Sequence, residues 1–195
     1  MSTAATRPRR RADAERSVAR IVAAARECMG RDPEARIDDI AKAAGVGRMT
    51  LYGHFRNRGE LVEAALADAM RAGQETLSAV DLSGDARDAL ARLLESSWYL
   101  VAESTALLQA AQGVVPPERI RQLHADPAER VEQLICRGQD DGVFRTDLPM
   151  NWLVSAVHYL LKGAAEEQRT GRLDASDAAH VVTASVQSVL ARETP

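Results

Sequence analysis

The chain has 195 residues, of which 46% are apolar and 27% are charged, a composition that excludes an intrinsically disordered protein. No apolar stretch approaches the roughly 20 residues that a membrane-spanning helix needs, and no apolar signal core follows the basic start, so export is not expected. The two cysteines, Cys28 and Cys136, stand far apart, which argues against a disulfide framework or a cysteine-based zinc site and favours the reducing cytoplasm.

Charge is divided unevenly along the chain. Residues 1–60 contain 13 Lys+Arg and 8 Asp+Glu and carry a net charge of +5, whereas residues 61–195 contain 12 and 20 and carry −8. A basic N-terminal part on an acidic body favours a polyanionic partner at that end of the molecule. Chance clustering of charge is the alternative that composition alone leaves open.

Helical periodicity runs through the chain and strand signals are nearly absent, so the sequence predicts an all-α fold. Glycine and proline clusters separate the helices. Residues 1–12 are expected to form a flexible basic arm. The predicted helices, about nine in all, span 13–30, 37–44, 48–54, 58–79, 84–103, 104–112, 127–141, 148–170 and 174–192, with a further short turn of helix at 117–124.

Three residues are expected to mark helix ends. Asp147 and Asp174 precede predicted helices and are predicted N-caps, because a short carboxylate can accept from the free amides of the first turn. Gly142 suits the left-handed conformation that commonly ends a helix.

Segment 36–55 has the spacing of a helix-turn-helix. Ala41 is small where a second helix must cross closely, and Gly45 can take the positive φ of a tight turn. Val46 then fills the corner, and Leu51 returns the next helix to the first. An ordinary helical hairpin would share this pattern, but the side chains that follow favour DNA, because most of them can donate to phosphates or base edges: Arg48, Thr50, Tyr52, His54, Arg56 and Arg58.

Residues 37–61, IDDIAKAAGVGRMTLYGHFRNRGEL, resemble the DNA-binding domain of TetR-type transcriptional regulators. The run TLYGHF at 50–55 is the most specific part, and the resemblance extends over roughly residues 13–73. The segment DGVFRTD at 141–147 is also similar to the family's turn into its eighth helix. The resemblance implies an N-terminal three-helix DNA-binding domain at 13–60, extending to about residue 73, and a helical effector-binding and dimerisation domain at 61–195.

The resemblance also implies which side chains meet DNA. Arg48, Met49 and Thr50 would face the major groove, and Tyr52, His54 and Arg58 would bind backbone phosphates. Arg48 is the candidate for contact with guanine O6 and N7, a phosphate contact being the alternative.

Three positions depart from the family pattern. Arg58 stands where a lysine is usual and can still donate to a phosphate. Gly53, inside the second helix of the motif, removes a DNA-facing side chain. Arg36 replaces the usual Ser or Thr cap, so Asp38 and Asp39 are expected to serve the first-turn amides instead.

The C-terminal body is expected to dimerise. Residues 152–161 are apolar on nearly every side, as in a helix buried on two faces. The family's arrangement is a four-helix interface, in which this helix pairs with 174–192 and with the same two helices of a second protomer; a monomer with a buried central helix is the alternative. The predicted interface residues are Trp152, Ala156, Leu160, Ala164, Val182, Val186 and Val189.

The same body is expected to bind a small, mostly apolar effector, because aromatic rings and a few polar groups line such pockets. Each candidate residue could instead belong to the core or the interface. The candidates are Trp98, Tyr99, Glu103, Gln112, His124, Trp152 and His158.

The signals of an enzyme are missing from the sequence. There is no Glu-x-x-His pair for a di-iron bundle, no phosphate-binding glycine loop and no nucleophile with a motif partner, so no catalytic residue, metal or cofactor is predicted. The sequence therefore predicts a cytoplasmic, effector-responsive regulator, most simply a homodimeric repressor on a pseudo-palindromic operator. The alternative is a DNA-binding dimer that acts as an activator or architectural protein without effector control.

Overall fold

The computed structural model describes residues 6–192, with the side chains of 11–192. Over this range the chain is helical, and its one β-type pairing is an isolated bridge between Phe144 and Ala191. The helices are α1 (Thr6–Arg31), α2 (Ile37–Ala43), α3 (Arg48–His54), α4 (Arg58–Leu77), α5 (Ala86–Ala111), α6 (Pro117–Leu123), α7 (Ala125–Asp140), α8 (Met150–Arg169) and α9 (Ala175–Leu190).

The all-α prediction is confirmed, and most helix ends lie within two residues of the predicted ones, but α1 and α5 differ more from their predicted extents. α1 begins at Thr6 rather than 13, so only residues 1–5 of the predicted arm lie outside the described part. Arginine and alanine are strong helix formers, and Arg11 pairs with Glu15 one turn later, which explains the longer helix. The predicted helices 84–103 and 104–112 are one helix, α5, because neither proline nor glycine occurs on either side of the predicted boundary at 103/104.

Two of the three predicted helix-end residues have the expected role. The Asp174 carboxylate accepts from the Ser176 amide at 2.8 Å and caps α9, and Gly142 has φ +70° directly after α7. Asp147 does not cap α8, which begins at Met150 after Pro149. Its carboxylate binds the Arg145 guanidinium instead, at 2.7 and 2.9 Å.

The chain divides into two compact units, each with its own core. Unit 1 comprises the residues up to Ala69 together with 106–120. Its core is apolar side chains from α1 to α4, among them Ile21, Met29, Ile40 and Leu61. In the same unit Arg26 and Asp68 join α1 to α4 with a bond of 2.8 Å.

Unit 2 comprises residues 70–105 and those from Arg121 onward. Its core is formed by α5, α7, α8 and α9 around Leu94, Phe144 and Val157. At Gly138 in α7, a Cβ would lie 2.1 Å from the Phe144 ring, so glycine is required for this close approach. Among the described residues, no helix has both the length and the apolar character needed to cross a membrane.

Candidate nucleic-acid interface

The predicted helix-turn-helix is formed by α2 and α3 of unit 1. Gly45 takes φ +64° in the turn, and the Val46 amide donates to the Ala41 carbonyl at 3.0 Å. Ala41 and Leu51 are buried where the two helices pack. The turn glycine and the small residue therefore have the places that the sequence assigns to them.

α3 has two chemically distinct sides. Leu51 is buried, and Phe55, which directly follows the helix, is buried with it. Met49 is 83% exposed, and Arg48 and Thr50 beside it are also exposed. An exposed methionine at the start of a short helix has no role in the core of this unit, which leaves this side of α3 open to a partner.

The remaining polar groups of α3 lie at the edge of this exposed side. Tyr52 and His54 are half-buried. The Arg48 guanidinium lies 5.5 Å from the centre of the Tyr52 ring, within cation–π distance. Arg48 also binds Asp38 of α2 through one guanidinium nitrogen, at 2.9 Å to each carboxylate oxygen.

The Arg58 guanidinium is bound within the protein, whereas a phosphate-binding side chain is expected to be free to reach DNA. Its Nη1 donates to the Ala35 carbonyl and its Nη2 to the Pro33 carbonyl, both at 2.6 Å. The side chain is partly buried and ties the α1–α2 loop to the start of α4. We therefore revise its assignment from a DNA contact to a structural link within unit 1.

Replacing Arg58 with Ala is expected to lower the free energy of unfolding by about 1–3 kcal/mol, because two partly buried carbonyls would lose a charged donor. Urea denaturation would measure the loss, with Arg56→Ala as the control, since Arg56 is an exposed neighbour. The salt dependence of DNA binding should stay that of the wild type. If Arg58→Ala leaves the free energy of unfolding unchanged and makes DNA affinity less dependent on salt, Arg58 binds a phosphate after all.

The first turn of α4 is capped by side chains on both sides of Arg58. The Asn57 side-chain oxygen accepts from the Glu60 amide at 2.9 Å, and the Glu60 carboxylate accepts from the Arg56 amide at 2.8 Å. At α2 the expected capping is absent: Arg36 is the N-cap without a side-chain cap bond. Asp39 pairs with Arg36 at 3.2 Å instead.

Segment 106–120 is the part of unit 1 that sequence reasoning placed in the other domain. A Cβ on Gly59 would lie 2.6 Å from the Val114 carbonyl oxygen, so the start of α4 and this segment are in close backbone contact. Arg119 and Glu63 form an ion pair at 2.6 Å between the same two elements. The only trace of this contact in the sequence is the glycine at position 59, and a single glycine does not indicate which segment packs against it.

Two of the seven candidate effector residues are brought together in unit 2. Burial lowers the pKa of His124, and the nearby His158 lowers it further. The His124 Nε2 atom is buried without a hydrogen-bond partner among the described residues. His158 uses its Nδ1 in a 2.8 Å bond to the Val154 carbonyl of its own helix.

The other five candidates have separate surroundings. Trp98 is in the core of unit 2, where its indole N–H donates to Gln168 at 3.0 Å. Tyr99 and Trp152 are exposed, and Glu103 is half-buried. Gln112 is exposed and belongs to unit 1. Tyr99 and Trp152 therefore do not line an enclosed cavity of the single chain.

The dimer candidates divide by the side of the helix on which they lie. Val182 and Val186 are 1% and 0% exposed and pack in the core of unit 2, so they are not available to a second protomer. Trp152 is exposed, as is Tyr159 about two helical turns later. The remaining candidates, Ala156, Leu160, Ala164 and Val189, are half-buried.

Known proteins resemble this chain in both sequence and fold. A family model described as "Bacterial regulatory proteins, tetR family" matches residues 21–65. The HTH-type transcriptional regulator NfxB of Pseudomonas aeruginosa is 26% identical over 152 residues, which cover 77% of this chain and 81% of NfxB.

Solved structures share the architecture over nearly the full length. The TetR-like transcriptional regulator LfrR from Mycobacterium smegmatis, in complex with proflavine, has a TM-score of 0.71 at 22% identity and covers 92% of this chain and 99% of its own. The fatty acid degradation regulator FadR from Bacillus halodurans has a TM-score of 0.68 at 18% identity, with coverages of 88% and 98%.

The sequence match and the geometry coincide. The matched residues contain α2, α3 and the start of α4, where the helix-turn-helix and its exposed Met49 lie. The structural likeness extends the agreement in fold to the rest of the chain. Residues 21–65 match the helix-turn-helix DNA-binding domain of the TetR family of bacterial regulatory proteins, and nearly the whole chain shares the fold of solved TetR-like regulators.

Proposed function

We propose that the chain is a homodimeric repressor that binds a pseudo-palindromic operator through α3 and leaves it when a small, mostly apolar effector binds. The observation that carries the proposal is the two-sided character of α3. Its buried side, at Leu51, fixes the helix in unit 1, while Arg48, Met49 and Thr50 are exposed at its N-terminal end. A recognition helix contacts base edges through its N-terminal residues, so these three are the proposed readers of the major groove.

Base contacts and phosphate contacts are proposed for different residues of α3. Arg48 can donate two parallel bonds to guanine O6 and N7, which gives it a role in sequence preference. Tyr52 and His54 are half-buried at the edge and would bind phosphates, which positions the domain without reading sequence. Arg58 has no part in this proposal, because its guanidinium is bound to Pro33 and Ala35.

The proposed dimer uses the sides of α8 and α9 that the core leaves exposed. On α8 these are Trp152, Tyr159 and Gly163, and on α9 they are Val181, Ala184 and Ser188. Large exposed rings next to small residues are suited to helix packing, in which a ring fills the space over a small side chain. A two-fold axis through these helices would give the four-helix interface that the family resemblance implies.

The proposed effector site includes His124 and His158 in unit 2. Burial and the neighbouring His158 lower the pKa of His124, which favours its neutral form, and the bare Nε2 atom can bond to one polar group of an otherwise apolar molecule. LfrR, a structural neighbour, was solved with proflavine. Proflavine is therefore a reasonable first compound in a thermal-shift screen of this chain.

Segment 106–120 is the proposed route from effector to DNA. Its contacts with α4, at Gly59–Val114 and Glu63–Arg119, lie within a few residues of the helix-turn-helix. Its two ends continue directly into residues 105 and 121 of unit 2. An effector that binds unit 2 can lower DNA affinity only if it binds more tightly to a conformation of the chain that binds DNA weakly than to the conformation that binds DNA well. Segment 106–120 is the element proposed to differ between these two conformations.

The effector and the operator are expected to weaken each other's binding by the same factor. Coupling of about 1–3 kcal/mol, or roughly 5- to 150-fold, is typical of such switches. The test is to titrate a thermal-shift hit by calorimetry with and without an operator duplex. Gly59→Ala, which disturbs the Val114 contact, should reduce the coupling, whereas Gly73→Ala, in the same helix but with only an ordinary 3.8 Å contact between its Cβ and Leu100, should retain it.

Equal effector affinity in the two titrations would contradict the switch. The chain would then be a DNA-binding dimer without effector control. A transcription assay with the operator placed at a promoter separates repression from activation, because a repressor lowers transcription in the absence of effector.

A further inference from the structure

Asp38 of α2 and Arg48 of α3 form an ion pair on the exposed side of the helix-turn-helix. The Arg48 Nη1 atom lies 2.9 Å from both Asp38 carboxylate oxygens. The guanidinium also lies over the Tyr52 ring, at 5.5 Å. The side chain is therefore held by two partners, although more than half of its surface is open to solvent.

The local fold explains why Asp38 reaches Arg48 and its neighbour does not. Asp38 is in the first turn of α2 and Arg48 is the first residue of α3, and the turn at Gly45 brings these helices together. The adjacent carboxylate, Asp39, pairs with Arg36 at 3.2 Å instead. Two acidic residues in succession thus have different partners, and only one of them touches the proposed base reader.

The contact occupies one nitrogen of the guanidinium and leaves the others available. Among the described residues, no acceptor is bonded to Nε or Nη2 of Arg48. These two nitrogens form an edge that can donate parallel bonds to guanine O6 and N7. Asp38 consequently restricts the orientation of Arg48 without blocking a bidentate contact with a base.

The carboxylate also offsets the charge of Arg48. A free arginine on a DNA-binding surface attracts phosphates of any sequence. An arginine paired with aspartate gains less from a phosphate, because the phosphate is repelled by the carboxylate beside it. A guanine edge presents neutral acceptors and suffers less from this repulsion.

We propose that Asp38 is a specificity-determining residue, which positions Arg48 for guanine and lowers the affinity of this surface for DNA of arbitrary sequence. The inference rests on the proposed function, in which Arg48 reads a base. It assigns to α2 a role in sequence preference in addition to its packing role. The pair then acts as one reading unit, with Tyr52 supporting the guanidinium.

The test compares Asp38→Ala with Asp39→Ala, which removes the same charge from the next residue. Each protein is used to select duplexes from a library with a randomised centre, and its affinity for a random-sequence duplex is measured over a range of salt concentrations. In Asp38→Ala the guanine preference at the Arg48 position should fall about tenfold. The slope of log affinity against log salt should become more negative by about 0.9, the value of one phosphate contact.

The controls separate orientation from charge. Asp39→Ala should retain the guanine preference. Asp38→Asn, which keeps an acceptor but not the charge, should retain much of the preference while binding random-sequence DNA more tightly. Asp38→Ala in an Arg48→Ala background should cause no further loss of preference, and thermal melts of all variants exclude a folding defect as the cause.

Two results would overturn the inference: an unchanged guanine preference in Asp38→Ala, or an equal loss in Asp39→Ala. Either would reduce the contact to an ordinary surface ion pair. If the proposed function itself is wrong, Arg48→Ala will select the same duplexes as the wild type. If Arg48→Ala loses the guanine preference and Asp38→Ala does not, only the role of Asp38 is refuted and the proposed function stands.

Discussion

Ala184→Arg is expected to sediment as a monomer at micromolar concentration and to lose most of its operator affinity. Ala184 is exposed in the middle of α9, so an arginine there is compatible with folding of the single chain. In the proposed dimer the same arginine would be buried without a partner, which costs about 3–5 kcal/mol. A monomer has one recognition helix and therefore only one half-site's contacts with an operator.

Gln133→Arg provides the matched control, because it places the same charge at an exposed position of α7, outside the proposed interface. It should remain dimeric and bind operator normally. Sedimentation of the wild type as a monomer would refute the dimer. Val182→Arg is not a useful alternative, because Val182 is in the core of unit 2 and its replacement would unfold the protomer.

Arg48→Ala is expected to lower operator affinity by about 1–3 kcal/mol, the range measured for a bidentate arginine–guanine contact. The loss should be confined to duplexes that carry the guanine, because a base contact contributes little to non-specific binding. Arg56→Ala removes an equal charge next to α3 and should affect all duplexes alike. Fluorescence anisotropy with matched and guanine-substituted duplexes distinguishes the two. A uniform loss in Arg48→Ala would make Arg48 a phosphate contact.

The helix-turn-helix could be predicted because its determinants are local. A small residue, a turn glycine and an apolar residue at set spacings dictate how two short helices pack, and Ala41, Gly45 and Leu51 have these places in the structure. The exposed side of α3 follows from the same spacing, since positions between the buried ones must face outward.

The assignment of Arg58 could not be corrected from the sequence. A cation at the start of a helix after a recognition helix has the same local pattern whether it binds a phosphate or the carbonyls of a distant loop. Its partners, Pro33 and Ala35, lie 25 and 23 residues earlier in the chain. Only the tertiary fold brings them together.

The apolar stripe of α9 shows a second limit. Periodicity indicates that Val182 and Val186 face an apolar partner, but it does not distinguish the helix's own core from a second protomer. The structure places both in the core and leaves Val181 and Ala184 outside. The sequence also could not predict that segment 106–120 belongs to unit 1, because its contact with Gly59 is made by the backbone and produces no pattern of side chains.

Selection of duplexes from a randomised library by the wild-type chain tests whether the exposed side of α3 reads DNA. A dimer that presents two copies of α3 should enrich a two-fold symmetric sequence with half-sites about one helical turn, or a multiple of it, apart. Selection with a variant carrying both Arg48→Ala and Met49→Ala should change or abolish that sequence. Enrichment of the same sequence by the variant, or of none by the wild type, would show that α3 does not read DNA through this side.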